Sequence, residues 1–454
     1  MFDLIVLGGG PAGYLAGERA GEAGLKTCVI EKMFIGGVCL NEGCIPSKAL
    51  LYSAKIFDNA AHGEKYGVHV KEISLDHAFV VARKQKVIDT LVGGIRAKLK
   101  KLGVTVVEGD GVIQHRTPQG FAVKVGEELY EGRQLLIATG SDPVMPPIEG
   151  LREGFDAGFV LTNREVLKLE QVPAEFVVIG GGVIGLEMAS YFNSAGAHVT
   201  VIEMLDHIAG NTDAEIGKLL QKNYAAKGIT FELSAKVVKV GRDCVEFERD
   251  GKRISVKADK VLCSIGRRAH TAGIGLENLG VYTERGAIKT DEQMRTNVAG
   301  VYAAGDVNGV SMLAHTAYRE AEVAVNNILG KKDRMSYEAV PAVIYTNPEV
   351  ASVGRTEEQL KKDGVNFKAV KLTMKFSGRY VAENEGGDGI MKLLVDADKE
   401  TVLGVHMIGN YSSEIIISAV IMIEKKMRLS EIKKVIFPHP TVSEIIREAV
   451  FSVE

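Results

Sequence analysis

Two cysteines separated by four residues are the feature of this chain that most directly indicates chemistry. Cys39 and Cys44 lie in the segment GGVCLNEGCIPSK. Two thiols this close can form a small disulfide ring, and in a reducing cytosol such a pair is more often catalytic or metal-binding than structural. A metal site is the weaker possibility, because a closed zinc site needs four ligands and no second cysteine pair or HxxxH cluster is present. We therefore predict a dithiol–disulfide oxidoreductase without a metal site.

The chain also contains an internal repeat, in which a strand, a glycine turn, a helix and a second strand ending in an acid follow one another. The first copy reads LIVLGGGPAGYLAG and then TCVIE, and the second reads VVIGGGVIGLEMAS and then VTVIE. In both copies the acid stands 23 residues beyond the first glycine, which argues against a chance match to GxGxxG. The residues concerned are Gly8, Gly10, Gly13 and Glu31 in the first copy and Gly180, Gly182, Gly185 and Glu203 in the second.

Each repeat has the properties of a dinucleotide site. The first glycine permits the tight turn, the second lets the backbone approach a pyrophosphate, and the third allows the helix to pack closely on the strand. The phosphates then meet the free N–H groups and the positive dipole end of a helix N-terminus. The acid can accept hydrogen bonds from a ribose hydroxyl. Two such units predict two bound dinucleotides.

The length of the chain and its pattern of predicted helices, strands and linkers indicate several domains. Its 454 residues are too many for one hydrophobic core, so two to four domains are expected. Residues 75–101 predict a long basic helix, and the proline-rich segment PVMPPI suits a linker near residue 146. From about Tyr337, alternating strands followed by two helices predict a separate domain. The expected fold class is α/β, with two Rossmann-like dinucleotide-binding units and a C-terminal α+β domain.

Composition and charge exclude some partners. The formal net charge of −3 argues against nucleic acid or an anionic membrane as the main partner. No apolar run approaches the ~20 residues that span a bilayer. The chain opens directly with the strand FDLIVLGGG, which leaves no room for a cleavable leader. A cytoplasmic location is the simplest interpretation.

The remaining cysteines and several histidines have no catalytic neighbours in the sequence. Cys28, Cys244 and Cys263 lie in apolar or alternating stretches and are interpreted as small buried hydrophobic residues. His62 and His77 belong to no cluster of potential catalytic residues in the sequence and are interpreted as surface residues.

The segments quoted above, together with ATG, AAGDV and the terminal HPTVSE, resemble the flavin-dependent disulfide reductase family over nearly the whole chain. The resemblance is greatest to the members that oxidise dihydrolipoamide. It implies an FAD domain interrupted by an inserted NAD domain, followed by an interface domain that forms a homodimer. The implied boundaries are 1–146 and 272–336 for the FAD domain, 147–271 for the NAD domain and 337–454 for the interface domain.

The resemblance assigns cofactor-binding residues position by position. For FAD these are Gly8, Gly10, Gly13, Glu31, Gly111, Gly140, Asp306 and Ala314. For NAD they are Gly180, Gly182, Gly185, Glu203, Val237 and Gly266. Lys48, four residues past Cys44, would lie near the flavin and favour its reduced, anionic form. Glu187 is the candidate ion-pair partner of Lys48.

The resemblance further implies a relay from dihydrolipoamide to the Cys39–Cys44 disulfide, then to FAD and finally to NAD. Because a thiolate rather than a thiol attacks a disulfide, a base must take a proton from the substrate. His439 in FPHPTVSE is the candidate base, and Glu444 would bond its other ring nitrogen. By resemblance, His439 acts on the cysteines of the partner subunit, where Cys39 exchanges with substrate and Cys44 lies against the flavin.

The sequence favours NAD over NADP. NADP sites usually place an arginine near the end of the second strand to neutralise the 2′-phosphate. Here Glu203 at the end of that strand is followed by Met204, Leu205 and Asp206, and we expect no base near the position of that phosphate. This argues against glutathione or trypanothione reductases, which prefer NADP.

Several related flavoproteins are also compatible with parts of the sequence. Mercuric reductases carry a terminal cysteine pair that REAVFSVE does not contain, and soluble transhydrogenases have no redox cysteines. A non-catalytic flavoprotein that serves as a complex subunit would need none of the proposed catalytic residues. Glu42 departs from the usual apolar residue inside the cysteine loop, and this leaves substrate identity partly open. No lipoyl domain precedes residue 1, so the expected partner is a lipoylated protein of a 2-oxo acid dehydrogenase complex or of the glycine cleavage system.

Overall fold

The computed structural model describes all 454 residues, and these divide into two compact units. The first unit comprises Met1–Ala49, Phe79–Val144 and Gly266–Ser336, and the second comprises Leu50–Ala78, Met145–Ile265 and Tyr337–Glu454. The predicted fold class matches the elements described below, whereas the four predicted domain boundaries stay predictions.

The helices and strands up to residue 144 form the amino-terminal part of the fold. They are β1 Phe2–Leu7, α1 Pro11–Glu22, β2 Thr27–Glu31, α2 Gly37–Glu42, α3 Cys44–Ala61, α4 His77–Lys101, β3 Thr105–Glu108, β4 Gly111–Thr117, β5 Gly120–Val125, β6 Glu128–Ile137 and β7 Ser141–Pro143. The helix predicted at 75–101 thus begins two residues later than expected, at His77.

The next part, up to residue 265, contains the second glycine turn. Its elements are α5 Leu151–Asp156, β8 Val160–Leu161, α6 Asn163–Val166, β9 Glu175–Ile179, α7 Val183–Ser194, β10 His198–Ile202, α8 Ala214–Ala226, β11 Thr230–Glu232, β12 Lys236–Val240, β13 Cys244–Arg249, β14 Lys252–Lys257 and β15 Lys260–Cys263.

The chain then returns to the first unit and ends in the second. The returning segment contains β16 Arg267–Ala269, β17 Thr283–Glu284, β18 Ala287–Ile288, β19 Val301–Ala303 and α9 Ala314–Ile328. The final segment contains β20 Ala342–Ile344, β21 Val350–Gly354, α10 Glu357–Lys362, β22 Phe367–Thr373, α11 Gly378–Glu383, β23 Ile390–Asp396, β24 Val402–Ile408, α12 Ser412–Glu424, α13 Leu429–Ile432 and α14 Glu444–Phe451. Four short 3₁₀ helices complete the elements, at Gly63–Tyr66, Leu276–Leu279, Asp306–Asn308 and Met374–Phe376.

A seven-stranded sheet forms the centre of the first unit. Its order is β3-β2-β1-β6-β5-β4, and β19 also pairs with β6. The strands β3, β2, β1, β6 and β19 run parallel, while β4, β5 and β6 form an antiparallel meander. Four consecutive residues of β1, from Leu4 to Leu7, are buried, as expected for a central parallel strand covered on both faces.

A second parallel sheet lies in the second unit, with the order β11-β10-β9-β15-β8. A separate antiparallel sheet, β12-β13-β14, accompanies it. The chain leaves the first unit after β7 and returns at β16, and these two strands pair antiparallel with Arg268 opposite Asp142. The second dinucleotide unit is therefore inserted between two paired strands of the first.

The carboxyl-terminal segment has the predicted α+β composition. Its sheet, β20-β21-β24-β23-β22, is entirely antiparallel. Helices α12 and α14 bury Ile416, Ala419, Ile445 and Ile446 in one core with the sheet. The short helix α13 between them was not predicted. None of the helices is long and apolar enough to cross a bilayer.

The isolated cysteines and histidines correct the sequence interpretation in part. Cys28 and Cys263 are buried as predicted, but Cys244 is only half-buried because β13 lies in the small antiparallel sheet. The surface assignment holds for His62 and is wrong for His77. The Nδ1 atom of His77 lies 2.7 Å from the hydroxyl of Tyr191, and its Nε2 lies 2.9 Å from a backbone carbonyl oxygen.

A buried cation connects elements within the second unit. The Nζ atom of Lys392 on β23 lies 2.8 Å from Oδ2 of Asp213 and 2.6 Å from Oε2 of Glu357. The side chains of Lys392 and Asp213 are 5% and 0% exposed. Although burial by itself lowers the pKa of Lys392, its hydrogen bonds to Asp213 and Glu357 raise that pKa to about 12.

We expect Lys392→Met to lower the free energy of unfolding by about 3–5 kcal/mol, because it leaves a buried carboxylate without its cation. The matched control is Lys371→Met. Lys371 also bonds a carboxylate, Glu215 at 2.5 Å, but its side chain is 54% exposed. The Lys371→Met substitution should therefore lower the free energy of unfolding by less than about 1 kcal/mol. Urea unfolding, monitored by circular dichroism, measures the free energy of unfolding of both variants. Equal effects of the two substitutions would contradict the importance of burial.

The same cluster predicts a pH dependence. Hydrogen bonds from Lys361 and Lys392 lower the pKa of Glu357 to about 2. A carboxylate with a depressed pKa stabilises the folded state above its unfolded pKa of about 4.3, and this contribution is lost as pH falls toward 2. As pH falls from about 4.3 toward 2, the free energy of unfolding of the Lys392→Met protein should therefore decrease less than that of the wild type.

Candidate active site

The two predicted redox cysteines lie side by side at a junction of helices. Cys39 belongs to α2, and Cys44 is the first residue of α3, after the break at Gly43. Both are half-buried and carry thiols rather than a disulfide. A hydrogen bond with Cys44, and then burial, raise the pKa of the Cys39 thiol, while the charge of Lys48 acts in the opposite direction. The pair is thus in position for disulfide formation, with a cation that favours the thiolate.

The redox helix begins on the first glycine turn. The backbone N–H of Gly36 donates to the carbonyl oxygen of Gly9 at 2.8 Å. A Cβ atom on Gly37, where φ is +58°, would lie 2.6 Å from the Cα of Gly10. A larger residue at position 37 would therefore push the cysteine loop away from the nucleotide turn. This contact explains the second of the two glycines that open the loop.

The first glycine turn has a cradle that the protein itself does not fill. A Cβ atom on Gly8 would lie 2.2 Å from the carbonyl oxygen of Ala138, and one on Gly13 would lie 1.8 Å from that of Gly8. Packing therefore requires both of these glycines. A Cβ atom on Gly10 would have no neighbour closer than 3.8 Å, so the missing side chain leaves open space at the N-terminus of α1. This is the space in which a pyrophosphate would approach the backbone.

The second glycine turn has the same design. A Cβ atom on Gly180 would lie 2.7 Å from the carbonyl oxygen of Ser264, and one on Gly185 would lie 2.3 Å from that of Gly180. The nearest atom to a Cβ on Gly182 would be 4.0 Å away. Neither α1 nor α7 has an acidic residue in its first turn or a side-chain cap. Both helix N-termini are therefore suited to a phosphate, and the residues fit FAD and NAD.

The two strand-end acids hold their glycine turns in matching ways. Oε2 of Glu31 accepts the N–H of Gly9 at 2.6 Å, and Oε2 of Glu203 accepts that of Gly181 at the same distance. The second oxygen of each acid accepts an N–H from the residues that follow the strand. Each carboxylate is fixed in orientation and keeps lone pairs for ribose hydroxyls. After Glu203, the sequence interpretation overlooked His207, whose Nδ1 lies 2.6 Å from Oδ1 of Asp206.

The acid of the GDV motif is held by residues that sequence analysis missed. The hydroxyl of Ser141 donates to Oδ2 of Asp306 at 2.5 Å, and Nε of Arg267 donates to Oγ of Ser141 at 2.7 Å. Burial raises the pKa of Asp306, and the Ser141 hydroxyl and the Arg267 charge oppose that rise. The fully buried Glu320 accepts the N–H of Gly305 at 2.6 Å, which fixes the turn. Glu320 lies on the buried face of α9, and an acid at such a position is the sequence signal that could have identified it.

The other predicted cofactor residues have the following places. Gly111 is buried at the start of β4, Gly140 follows β6 with φ at +73°, and Ala314 is the first residue of α9. Val237 is buried in the core around β12, and Gly266 accepts the N–H of Val144 at 3.0 Å.

The predicted Lys48–Glu187 pair involves residues of different units. Lys48 belongs to the first unit and is half-buried on α3. Glu187 belongs to the second unit, where it is buried on α7 and its Oε1 accepts the N–H of Tyr345 at 3.1 Å. Their pairing stays a prediction, as do the roles of the other site residues.

The predicted base and its orienting acid are in contact in the second unit. Nδ1 of His439 lies 2.8 Å from Oε1 of Glu444, and Oε2 of Glu444 accepts the N–H of Thr441 at 2.9 Å. That N–H first, and then His439, lower the pKa of Glu444. A carboxylate can only accept, so Nδ1 carries the proton of this hydrogen bond, and in the neutral imidazole the Nε2 lone pair would be the acceptor. The His439 side chain is 78% exposed, and its Nε2 has no partner within the chain.

Comparison with known proteins places the chain in one family over almost its full length. Residues 2–321 match the family described as Pyridine nucleotide-disulphide oxidoreductase, and residues 340–450 match its dimerisation domain. A dihydrolipoyl dehydrogenase of Bacillus subtilis is 39% identical and covers 100% of this chain and 98% of its own. A mitochondrial dihydrolipoyl dehydrogenase of Pisum sativum is 38% identical over 98% of this chain and 90% of its own. The solved structure of LpdA from Mycobacterium tuberculosis has a TM-score of 0.89 at 26% identity and covers 99% of this chain and 98% of its own.

Proposed function

Because this chain belongs to the pyridine nucleotide-disulphide oxidoreductase family, we propose that it oxidises protein-bound dihydrolipoamide to lipoamide and reduces NAD to NADH. The observation that carries the proposal is full-length similarity to dihydrolipoyl dehydrogenases in a chain that retains the neighbouring thiols of Cys39 and Cys44. The predictions of the family, the α/β fold class, the enzyme class and the cofactors FAD and NAD are confirmed by these relatives. The cytoplasmic location stays a prediction.

The chemistry of the thiols begins with a proton transfer. Nε2 of His439 takes the proton of a substrate thiol, and the resulting thiolate attacks Sγ of Cys39 in the Cys39–Cys44 disulfide. The bond between the two cysteines breaks, and Cys44 leaves as a thiolate. The second substrate thiol then attacks the mixed disulfide, which releases lipoamide and leaves Cys39 reduced.

Reoxidation of the dithiol completes the balance. Gly8, Gly10, Gly13 and Glu31 would hold FAD, which would supply a two-electron acceptor for the dithiol, with NAD as the final acceptor. The net reaction is dihydrolipoamide plus NAD⁺ giving lipoamide, NADH and one proton. Glu444 keeps Nδ1 of His439 protonated and stabilises the imidazolium that forms when Nε2 accepts a proton.

The proposed partners are a second copy of the chain and a lipoylated protein. Residues 340–450 are a dimerisation domain, which supports a homodimer in which His439 of one copy serves the cysteines of the other. The high exposure of His439 supports this arrangement, since an exposed base is accessible to a partner. The dihydrolipoamide arrives on another protein, from a 2-oxo acid dehydrogenase complex or the glycine cleavage system.

The test of the function is NADH formation under anaerobic conditions. The purified flavoprotein is given NAD and free dihydrolipoamide, and then each purified lipoylated carrier in turn. We expect NADH in the first reaction and faster NADH formation with the true carrier. Glutathione disulfide reduction by NADPH is the comparison reaction. If only that reaction proceeds, the proposal is wrong and a different disulfide reductase is indicated.

The two strand-end acids predict separable effects on the two cofactors. Glu203→Ala removes the ribose acceptor of the second repeat and should lower kcat/KM for NAD by about 10–100-fold, the effect of about 1.5–3 kcal/mol for a charged hydrogen bond. It should leave bound FAD unchanged. Glu31→Ala, the matched variant of the first repeat, should lower FAD content instead. Visible absorbance measures the FAD content, and NADH kinetics measure kcat/KM for NAD. The opposite pattern of effects would exchange the FAD and NAD assignments of the two repeats.

A further inference from the structure

Two residues of the paired strands β7 and β16 hold Asp306, and the proposed reaction assigns a role to neither. The hydroxyl of Ser141 lies 2.5 Å from Oδ2 of Asp306, and Nε of Arg267 lies 2.7 Å from Oγ of Ser141. A second nitrogen of Arg267 donates to the backbone carbonyl oxygen of Ser141 at 2.6 Å. The guanidinium therefore binds Ser141 through both its side chain and its backbone. All three residues belong to the first unit.

The pairing of the two strands explains why these side chains meet. β7 and β16 are antiparallel, with Ser141 opposite Ala269. Because side chains alternate along a strand, Arg267 shares a face with Ala269 and Ser141, whereas the neighbouring Arg268 lies on the opposite face. Ser141 is buried, Arg267 is half-buried and Arg268 is exposed. Two adjacent arginines thus differ in the face they occupy and not in charge.

The direction of the hydrogen bonds follows from the groups that can donate. A guanidinium only donates, so Oγ of Ser141 accepts from Arg267 and keeps its single proton for Asp306. Oδ2 of Asp306 is therefore an acceptor, and a hydrogen bond to an ionised acceptor is stronger than one to a neutral acceptor. The arrangement favours a carboxylate whose other oxygen can accept a hydrogen bond from a hydroxyl of FAD.

The charges around Asp306 are few. Burial raises the pKa of Asp306, while the hydrogen bond from Ser141 and the charge of Arg267 lower it. The 3₁₀ helix that begins at Asp306 packs against β16 and against β18, which brings no charged residue. The other titratable or charged groups on the surrounding elements are Arg268, the pair of Asp142 and His270, and Glu320, which accepts the N–H of Gly305. The cation that acts on Asp306 is Arg267.

We propose that Arg267, acting through Ser141, keeps Asp306 ionised as a hydrogen-bond acceptor for FAD, so that the flavin stays bound as pH falls. This deepens the proposed function and rests on it for the identity of the cofactor. Arg267 and Ser141 are positioning residues, because they act on FAD through Asp306. Without Arg267, the carboxyl group should take up a proton at a higher pH and then bind FAD less tightly.

The test is the dissociation constant of FAD from pH 9 to pH 5.5. The purified flavoprotein is diluted serially, and the FAD released at equilibrium is quantified by its fluorescence. Arg267→Met should weaken FAD binding about tenfold at pH 5.5 and less at pH 9, the equivalent of about one unit in the pKa of a carboxyl group. Arg267→Lys keeps a cation that can donate, so it should bind FAD more tightly than Arg267→Met at pH 5.5. The matched control, Arg268→Met, removes an equal charge from the opposite face and should equal the wild type at each pH.

An Asp306→Asn background distinguishes this role from general support of the fold. Asparagine has no carboxyl group to ionise, so adding Arg267→Met to Asp306→Asn should change the affinity for FAD by less than about twofold at any pH. An undiminished effect of Arg267→Met in that background, or an effect independent of pH, would overturn the inference. Should Arg267→Met not fold, Ser141→Ala is subject to the same two tests. FAD release needs no dihydrolipoamide, so a wild type that binds FAD but forms no NADH would contradict the proposed function alone.

Discussion

A Cys39→Ser variant should keep its flavin but form NADH from dihydrolipoamide at least about a thousandfold more slowly than the wild type. A serine hydroxyl cannot form a disulfide with Cys44, so the substrate has no electrophilic sulfur to attack. Oxygen replaces a half-buried sulfur of similar size, and the hydrogen bond to Cys44 can be retained, so the loop should keep its conformation. The measurement is anaerobic NADH formation at saturating NAD.

Two controls separate loss of the thiol from loss of the protein. Reduction of an artificial dye by NADH does not use the cysteines and should be retained in the Cys39→Ser protein. Cys244→Ser changes another half-buried cysteine, on β13 in the second unit, and should leave both activities unchanged. More than a tenth of wild-type dihydrolipoamide oxidation in the Cys39→Ser protein would contradict the assigned role.

The parts of the fold that sequence predicts are those set by local geometry. The glycine turn, the helix after it and the strand ending in Glu31 or Glu203 form one continuous segment, so their spacing specifies the parallel unit without any knowledge of distant contacts. The same applies to Glu444 and His439, which are close in sequence and bond each other in the structure. In each case the interacting residues are close in sequence and belong to one turn or to one strand–helix–strand segment.

The parts that sequence could not predict depend on partners far along the chain. The Ser141–Asp306 bond spans 165 residues, and the Tyr14–Tyr318 bond spans 304. His77 looked like a surface residue because nothing near it in sequence has a complementary group, yet Tyr191 is 114 residues away and in contact. Periodicity shows which face of an element is buried, but it does not show which element covers that face.

A His439→Gln variant should lower dihydrolipoamide oxidation by about 10²–10⁴-fold, the range expected when a general base is removed. Glutamine can still bond Glu444, so the turn is preserved while the proton acceptor is lost. The backbone N–H of Thr441 and the imidazole of His439 lower the pKa of Glu444, so this carboxylate stays charged below the usual range for Glu. Glu444→Gln should therefore give the smaller loss, about tenfold, because the base remains but loses its stabilising charge.

Mixed dimers decide whether His439 acts on its own chain or on the partner. Cys39→Ser and His439→Gln chains, each strongly impaired alone, are co-expressed with different tags, and the heterodimer is isolated. If the base acts across the dimer, one site carries both substitutions and the other carries neither, so about half of wild-type activity should return. If base and cysteines act within one chain, both sites are damaged and no activity returns. The highly exposed ring of His439, with a free Nε2, favours the first outcome.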